Sequence, residues 1–148
     1  KCRVAEGVSY SNSAISHYFG SVTLDDLKSY TLNDKIFDKV NNAWVVQNNG
    51  KLCIAYQTKE NEYNARSFED AFIHINRNFV NTNRNEFKGL KNKNSFDDIN
   101  IDAYDLAANC VKKKTYFAMD IIFHTNDKYD NWQIPSYIKE GLLWLKKD

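Results

Sequence analysis

Leu52-Cys53-Ile54-Ala55-Tyr56-Gln57-Thr58, followed by Ala65-Arg66-Ser67-Phe68-Glu69-Asp70-Ala71-Phe72-Ile73, is the stretch that decides the fold class. The first run is short and apolar, as a buried strand is. The second opens on Ser67, carries an acid three residues later and repeats apolar residues at helical spacing through Phe68, Ala71, Phe72, Ile75 and Phe79. This predicts a helix from a Ser67 cap to about Phe79, with Asp70 closing a capping box. A strand feeding a helix predicts an α/β (α+β) domain. It also sets Glu69 and Asp70 in the first helical turn, where strand ends open into the crevice that binds ligands.

Working outward, Asn48-Asn49-Gly50-Lys51 separates Ala43–Gln47 from Leu52–Tyr56. The Asn-Gly pair predicts a β-hairpin over about 43–58, because a tight turn needs positive φ angles. Upstream, Ser11 to Phe19 reads as a short helix with Ile15, Tyr18 and Phe19 on one face, and Thr23 with Asp26 forms a second capping pattern. A further short helix is expected over Asp34 to Val40. Cys2-Arg3-Val4-Ala5 reads as a short strand or the end of a loop. Downstream, Asn81 to Asn100 is rich in Asn, Lys, Asp and Glu and reads as a mobile connection, with a short helix near 84–90. Helical spacing returns from Asp102 to Val111 and from Phe117 to Ile122, the two joined by Lys112-Lys113-Lys114-Thr115. Pro135 suits the first turn of a last helix through Ile138, Leu142, Leu143 and Leu145.

The chain has 148 residues, 43% hydrophobic and 14% aromatic, which suits one globular domain with helices packed on a small sheet. A net charge of +1 excludes any bulk electrostatic case for a polyanion, so basic surface must be local. Cys2, Cys53 and Cys110 share no metal-ligand spacing, and the two that lie in apolar runs suggest buried thiols of a reducing compartment, here the cytoplasm. No apolar run approaches the roughly 20 residues that span a bilayer. Without a signal peptide or initiator Met, the chain is expected to begin inside a longer polypeptide.

Three blocks carry a family resemblance: R-S-F-E-D-A-F-I (Arg66 to Ile73) with Asn76, K-T-x-F-A-x-D-I (Lys114 to Ile121) and W-x-I-P-x-Y-I-x-E-G-L-x-W-L (Trp132 to Leu145). In this order they resemble the C-terminal part of the Toprim nuclease domain of the overcoming-lysogenization-defect (OLD) family, which includes the nuclease subunit of Gabija-type phage defence. The opening K-C-R-V-x-x-G with S-N-S-A-I is similar to the segment after that domain's D-x-D strand. The resemblance implies a metal-dependent DNA endonuclease whose ATPase domain, early Glu motif and D-x-D motif lie upstream of Lys1. Glu6, in Val4-Ala5-Glu6-Gly7, reads as a loop carboxylate, and the 148-residue chain alone is expected to be inactive.

Phosphodiester hydrolysis needs an activated water and a cation at the leaving oxygen, which two divalent ions held by converging carboxylates supply. The resemblance makes Glu69 one ligand of an Mg2+ or Mn2+ site, with Asp70 second, although both also suit a helix N-terminus electrostatically. It makes Lys114 the catalytic lysine that neutralises charge on the phosphate. Lys112 and Lys113 read as solvated or as contacts to the DNA backbone, and Arg66 as a partner of phosphate or of a carboxylate. The resemblance also implies an intramolecular ATPase domain that holds the ATP, a homo-oligomer and a helicase-like partner, with no membrane. The competing reading is a non-catalytic module that docks an ATPase or helicase-like protein. His17, His74 and His124 have no partners at ligand spacing, and Trp132, Tyr137 and Trp144 read as core.

Overall fold

The computed structural model describes residues 10 and 12–146. The expectations at Cys2–Ala5 and Glu6 lie outside the described residues. The architecture is mixed α/β, with seven α-helices and two small antiparallel sheets among the described residues. The chain divides into two compact units, one ending at Lys59 and resuming at Ser136, the other running from Glu60 to Pro135.

The first unit opens with α1 (Ser13–Phe19), capped by Asn12, and α2 (Leu24–Ser29), which carries the capping box expected at Thr23 and Asp26. The helix expected over Asp34 to Val40 is instead a 3-10 turn at Asn33–Lys35 followed by strand β1 (Ile36–Val40). Ile36, Phe37 and Val40 suit either state, and pairing on both edges settles the matter for a strand. β2 (Ala43–Val46) and β3 (Leu52–Cys53) flank β1 in the order β2-β1-β3.

The hairpin is therefore one strand earlier than the sequence suggests. Asn41 and Asn42, at φ 49° and 65°, supply the two positive angles of a two-residue turn, and Val40 pairs with Ala43 across it. The Gln47–Gly50 turn carries the chain over to the far edge of β1. Gly50 serves there by its size, since a Cβ would lie 2.2 Å from the Phe37 carbonyl oxygen. Asn42→Gly is expected to stabilise this unit by about 0.5–1 kcal/mol, because glycine adopts a positive φ without strain. Chemical denaturation checks this, and a loss of stability would contradict the turn assignment.

Ile15, Leu27 and Tyr56 form this unit's buried cluster. Burial pushes the Tyr56 hydroxyl well above its usual range, and it donates to the Leu27 carbonyl at 2.7 Å. Lys35, buried, pairs with Glu140 at 2.9 Å and lies 4.9 Å from the Tyr56 ring centroid. Glu140 belongs to α7 (Ser136–Leu145), which starts directly after Pro135.

At the boundary β4 (Lys59–Glu60) pairs with β5 (Tyr63–Asn64), and the second unit continues with α3 (Phe68–Ile75), α4 (Arg77–Asn83), a 3-10 turn at Lys93–Asp97, α5 (Ala103–Cys110) and α6 (Lys114–Phe123). The helix expected to reach Phe79 breaks at Asn76, whose amide exchanges two hydrogen bonds with the Gln133 backbone, at 2.6 and 2.8 Å. The stretch expected to be a mobile connection is packed. Phe87, Leu90 and Phe96 from it are buried in the core with Phe72, Leu106 and Phe117. Its abundant Asn and Lys lie between these three anchors, which hid them from a reading by composition.

Cys110 is buried and Cys53 half-buried, and burial raises both thiols above their ordinary range. Trp132 is half-buried against Phe72, with ring centroids 5.5 Å apart, while Tyr137 and Trp144 are also half-buried. No helix of the described residues is long and apolar enough to cross a membrane.

Candidate active site

Glu69 stands at the second position of α3, after the Ser67 cap. Lys114 is the first residue of α6. Three residues after Glu69 and Lys114 stand Phe72 and Phe117, both fully buried, whose rings meet edge-on at 6.0 Å. Residues three apart lie on one helix face. The ring contact therefore brings the positions one turn earlier together, and Lys114 Nζ donates to Glu69 Oε2 at 3.0 Å. The two site residues chosen from the sequence, 45 positions apart, thus form an ion pair.

The pair is asymmetric. Glu69 has a side chain only 8% exposed, while that of Lys114 is 74% exposed. Desolvating a carboxylate is costly without a counter-charge. Lys114 supplies that charge from the solvent side, so another cation could take its place without disturbing the core. Glu69 Oε1 takes no hydrogen bond from a described residue.

Asp70 has a different role. Its Oδ1 accepts from the Ser67 N–H at 2.7 Å and the Ser67 hydroxyl at 2.6 Å. Its Oδ2 accepts from the Arg66 N–H at 2.8 Å and the Tyr63 hydroxyl at 3.1 Å. The side chain is fully buried and committed on both oxygens to the start of α3.

Arg66 is exposed; its guanidinium lies 4.4 Å from the Tyr104 ring centroid and donates to the Tyr104 hydroxyl at 3.1 Å. Within the described residues Arg66 thus pairs with an aromatic side chain rather than with a carboxylate. Lys112 and Lys113 are exposed, and Lys113 Nζ lies 4.6 Å from the Tyr116 ring centroid.

Two further residues fix the start of α6. Gly89 accepts from the Lys112 N–H at 2.9 Å and the Lys113 N–H at 3.3 Å, while its own N–H donates to the buried Asp120 carboxylate at 2.7 Å. A Cβ on Gly89 would lie 2.3 Å from the Phe117 nitrogen, so only glycine allows this approach. Sequence reasoning did not assign a role to either. The Asp in K-T-x-F-A-x-D-I was the available signal for Asp120, and the isolated glycine in a polar stretch was the signal for Gly89.

Among the described residues no three His, Cys, Asp or Glu side chains converge as a metal site. Glu69 fits the role of a single ligand, being a buried carboxylate with one uncommitted oxygen. A two-ion site would need its other carboxylates from beyond the described residues.

This arrangement defines a mixed α/β unit bearing a carboxylate–lysine pair where two helix starts meet. No protein-family model matches the chain, and no solved structure matches it. Among curated proteins the chain is similar to Endonuclease GajA of Bacillus cereus (strain HuB5-5), with 29% identity over 143 residues, covering 90% of this chain and 21% of that protein. The chain thus spans about a fifth of the length of the relative it matches.

Proposed function

We propose that the chain is part of a divalent-metal-dependent DNA endonuclease in which Glu69 and Lys114 serve the same site. The observation that carries this reading is the 3.0 Å contact between them, formed by two residues that the resemblance to Toprim nucleases selected independently. The similarity to Endonuclease GajA supports the endonuclease part of this reading. The parent would be an ATPase–Toprim protein of OLD type in cytoplasmic anti-phage defence. Its ATP-binding domain and remaining acidic motifs would lie outside this chain, and a homo-oligomer and a helicase-like partner belong to the same reading.

In this reading Glu69 offers its free oxygen to Mg2+ or Mn2+, which when bound lowers the pKa of a water and offsets charge on the leaving oxygen. Lys114 exchanges its carboxylate partner for a non-bridging phosphate oxygen, where its charge offsets the charge that grows as water attacks. The P–O ester bond to the leaving sugar oxygen breaks as the bond to the water oxygen forms. The water's proton passes to solvent, and the sugar oxygen takes a proton from solvent to leave as a hydroxyl. Asp70 keeps the first turn of α3 in place and touches neither substrate nor metal. The test is nicking of supercoiled plasmid with Mg2+ or Mn2+ by the full-length parent protein, comparing its unaltered form with Glu69→Gln and Lys114→Ala. Unchanged nicking in both variants overturns the assignment.

One observation favours the second reading, a non-catalytic docking module. Tyr116, Met119, Ile122 and Phe123 are 48%, 58%, 65% and 84% exposed on α6, an unusual apolar row for a solvated helix. Retention of nicking by a Met119→Lys/Phe123→Lys variant, with loss of partner association, would assign that row to docking alone.

A further inference from the structure

We infer that residues 88–91 and 111–114 together form a basic ladder that binds the sugar–phosphate backbone of duplex DNA beside the Glu69–Lys114 pair. The inference rests on the nuclease reading above and extends the backbone contacts expected at Lys112 and Lys113 to Lys88 and Lys91, which the sequence did not single out. Leu90 and Val111 pair as an isolated antiparallel bridge, and the Lys91 N–H donates to the Cys110 carbonyl at 2.8 Å. With the two bonds to the Gly89 carbonyl, this ties the two segments side by side. Lys88 stands in the turn beside Gly89, and Lys113 directly precedes the first residue of α6. Lys88, Lys91, Lys112, Lys113 and Lys114 are all exposed on this ladder.

The charge pattern singles this surface out. Residues 87–96 contain three lysines and no acid, and residues 106–119 contain three more and no acid. In a chain of net charge +1, these six are a large share of the 20 Lys and Arg residues. Among the described residues, Lys88, Lys91, Lys112 and Lys113 make no salt bridge to a carboxylate. Lysines crowded on two tied segments repel one another, and those at the start of α6 oppose the helix dipole. The fold nevertheless holds the two segments together by the Gly89 clamp described above. A dense polyanion offsets that repulsion. The only ladder lysine paired to an acid is Lys114, whose partner is Glu69. The ladder therefore ends at the proposed cutting site.

The test is equilibrium binding of a fluorescein-labelled 30-base-pair duplex to the protein in EDTA, titrated from 50 to 200 mM salt. Lys88→Gln/Lys91→Gln is expected to raise Kd about tenfold at 100 mM salt and to flatten the log Kd–log salt slope by about 2, near one per lysine. Lys39→Gln/Lys51→Gln, which removes equal charge outside the ladder, is expected to leave Kd within about twofold. Equal effects of the two double variants would show a general charge effect and overturn the ladder. So would an unchanged Kd and slope, or an unaltered protein that binds no duplex. An RNA duplex bound tenfold more tightly, with the same lysine dependence, would overturn the DNA assignment. Because no metal is present, cutting does not enter. Loss of binding in the ladder variant alongside an absence of nicking by the full-length parent protein would sink the nuclease reading and leave the ladder standing.

Discussion

Glu69→Gln is expected to lower metal-dependent nicking of supercoiled plasmid by at least about a hundredfold while leaving the fold intact. The substitution keeps the shape and one acceptor oxygen but removes the charge that a divalent ion would require. Loss of one electrostatic contact in a preorganised site costs roughly 10²–10³ in rate. Lys114→Ala should give a similar loss by a different route, since the missing cation would act on the phosphate. A bridge of merely structural value would behave otherwise. Lys114→Ala would then reduce stability by no more than about 1 kcal/mol, because the Lys114 side chain is 74% exposed and the pair is screened by solvent. Nicking would follow that small change. The metal titration separates the two residues further. Glu69→Gln should shift the Mg2+ or Mn2+ concentration for half-maximal nicking upward, whereas Lys114→Ala should lower the plateau with little shift. Full nicking at ordinary metal concentration by Glu69→Gln would end the assignment of Glu69 as a ligand.

Asp70→Ala is expected to be the most destabilising single change at the site, by roughly 3–5 kcal/mol. The carboxylate accepts from Tyr63, from the Arg66 N–H and from both donors of Ser67. Its removal strands several donors away from solvent and opens a void beneath the first turn of α3. For a unit of this size such a loss lowers the melting temperature by on the order of 15 °C or more. Hydrogen exchange would locate the effect, with α3 amides losing protection first. Asp70→Asn should fall between, because an amide oxygen can still accept while its NH2 faces other donors. A change below 1 kcal/mol for Asp70→Ala would show that the capping box is not what holds α3. Retained nicking by properly folded Asp70→Asn would agree with a role in support of Glu69 rather than in metal binding.

Local chemistry was legible in the residues. The boxes at Thr23–Asp26 and Ser67–Asp70 depend on partners three positions apart, so nothing distant was needed to place them. The same holds for α1, for the start of α5 after Asp102 and for α7 after Pro135. The hairpin was misplaced because two asparagine-rich turns lie within ten residues of one another. Asn48-Asn49-Gly50 carries the stronger turn signature, yet Asn41-Asn42 joins the paired strands. The difference lies in β1, whose Ile36 and Phe37 pair with Cys53 and Leu52 while its residues from Phe37 to Val40 pair with β2. Composition likewise misread Asn81 to Asn100, since three buried side chains outweigh a majority of polar ones in fixing a loop.

The site divides in the same way. By itself the sequence determined that Glu69 would stand in the first turn of a capped helix and that Asp70 would help to build that turn. Both follow from hydrogen bonds closed within a few residues. It also marked Lys114 through a resemblance, without reference to where that lysine lies. Only the tertiary structure decided that Lys114 meets Glu69, and that Lys88 and Lys91 join Lys112 and Lys113. These contacts depend on the packing of Phe72 against Phe117 and on the space a missing Cβ leaves at Gly89. Close packing acts between residues far apart in the chain, so no local pattern could announce it.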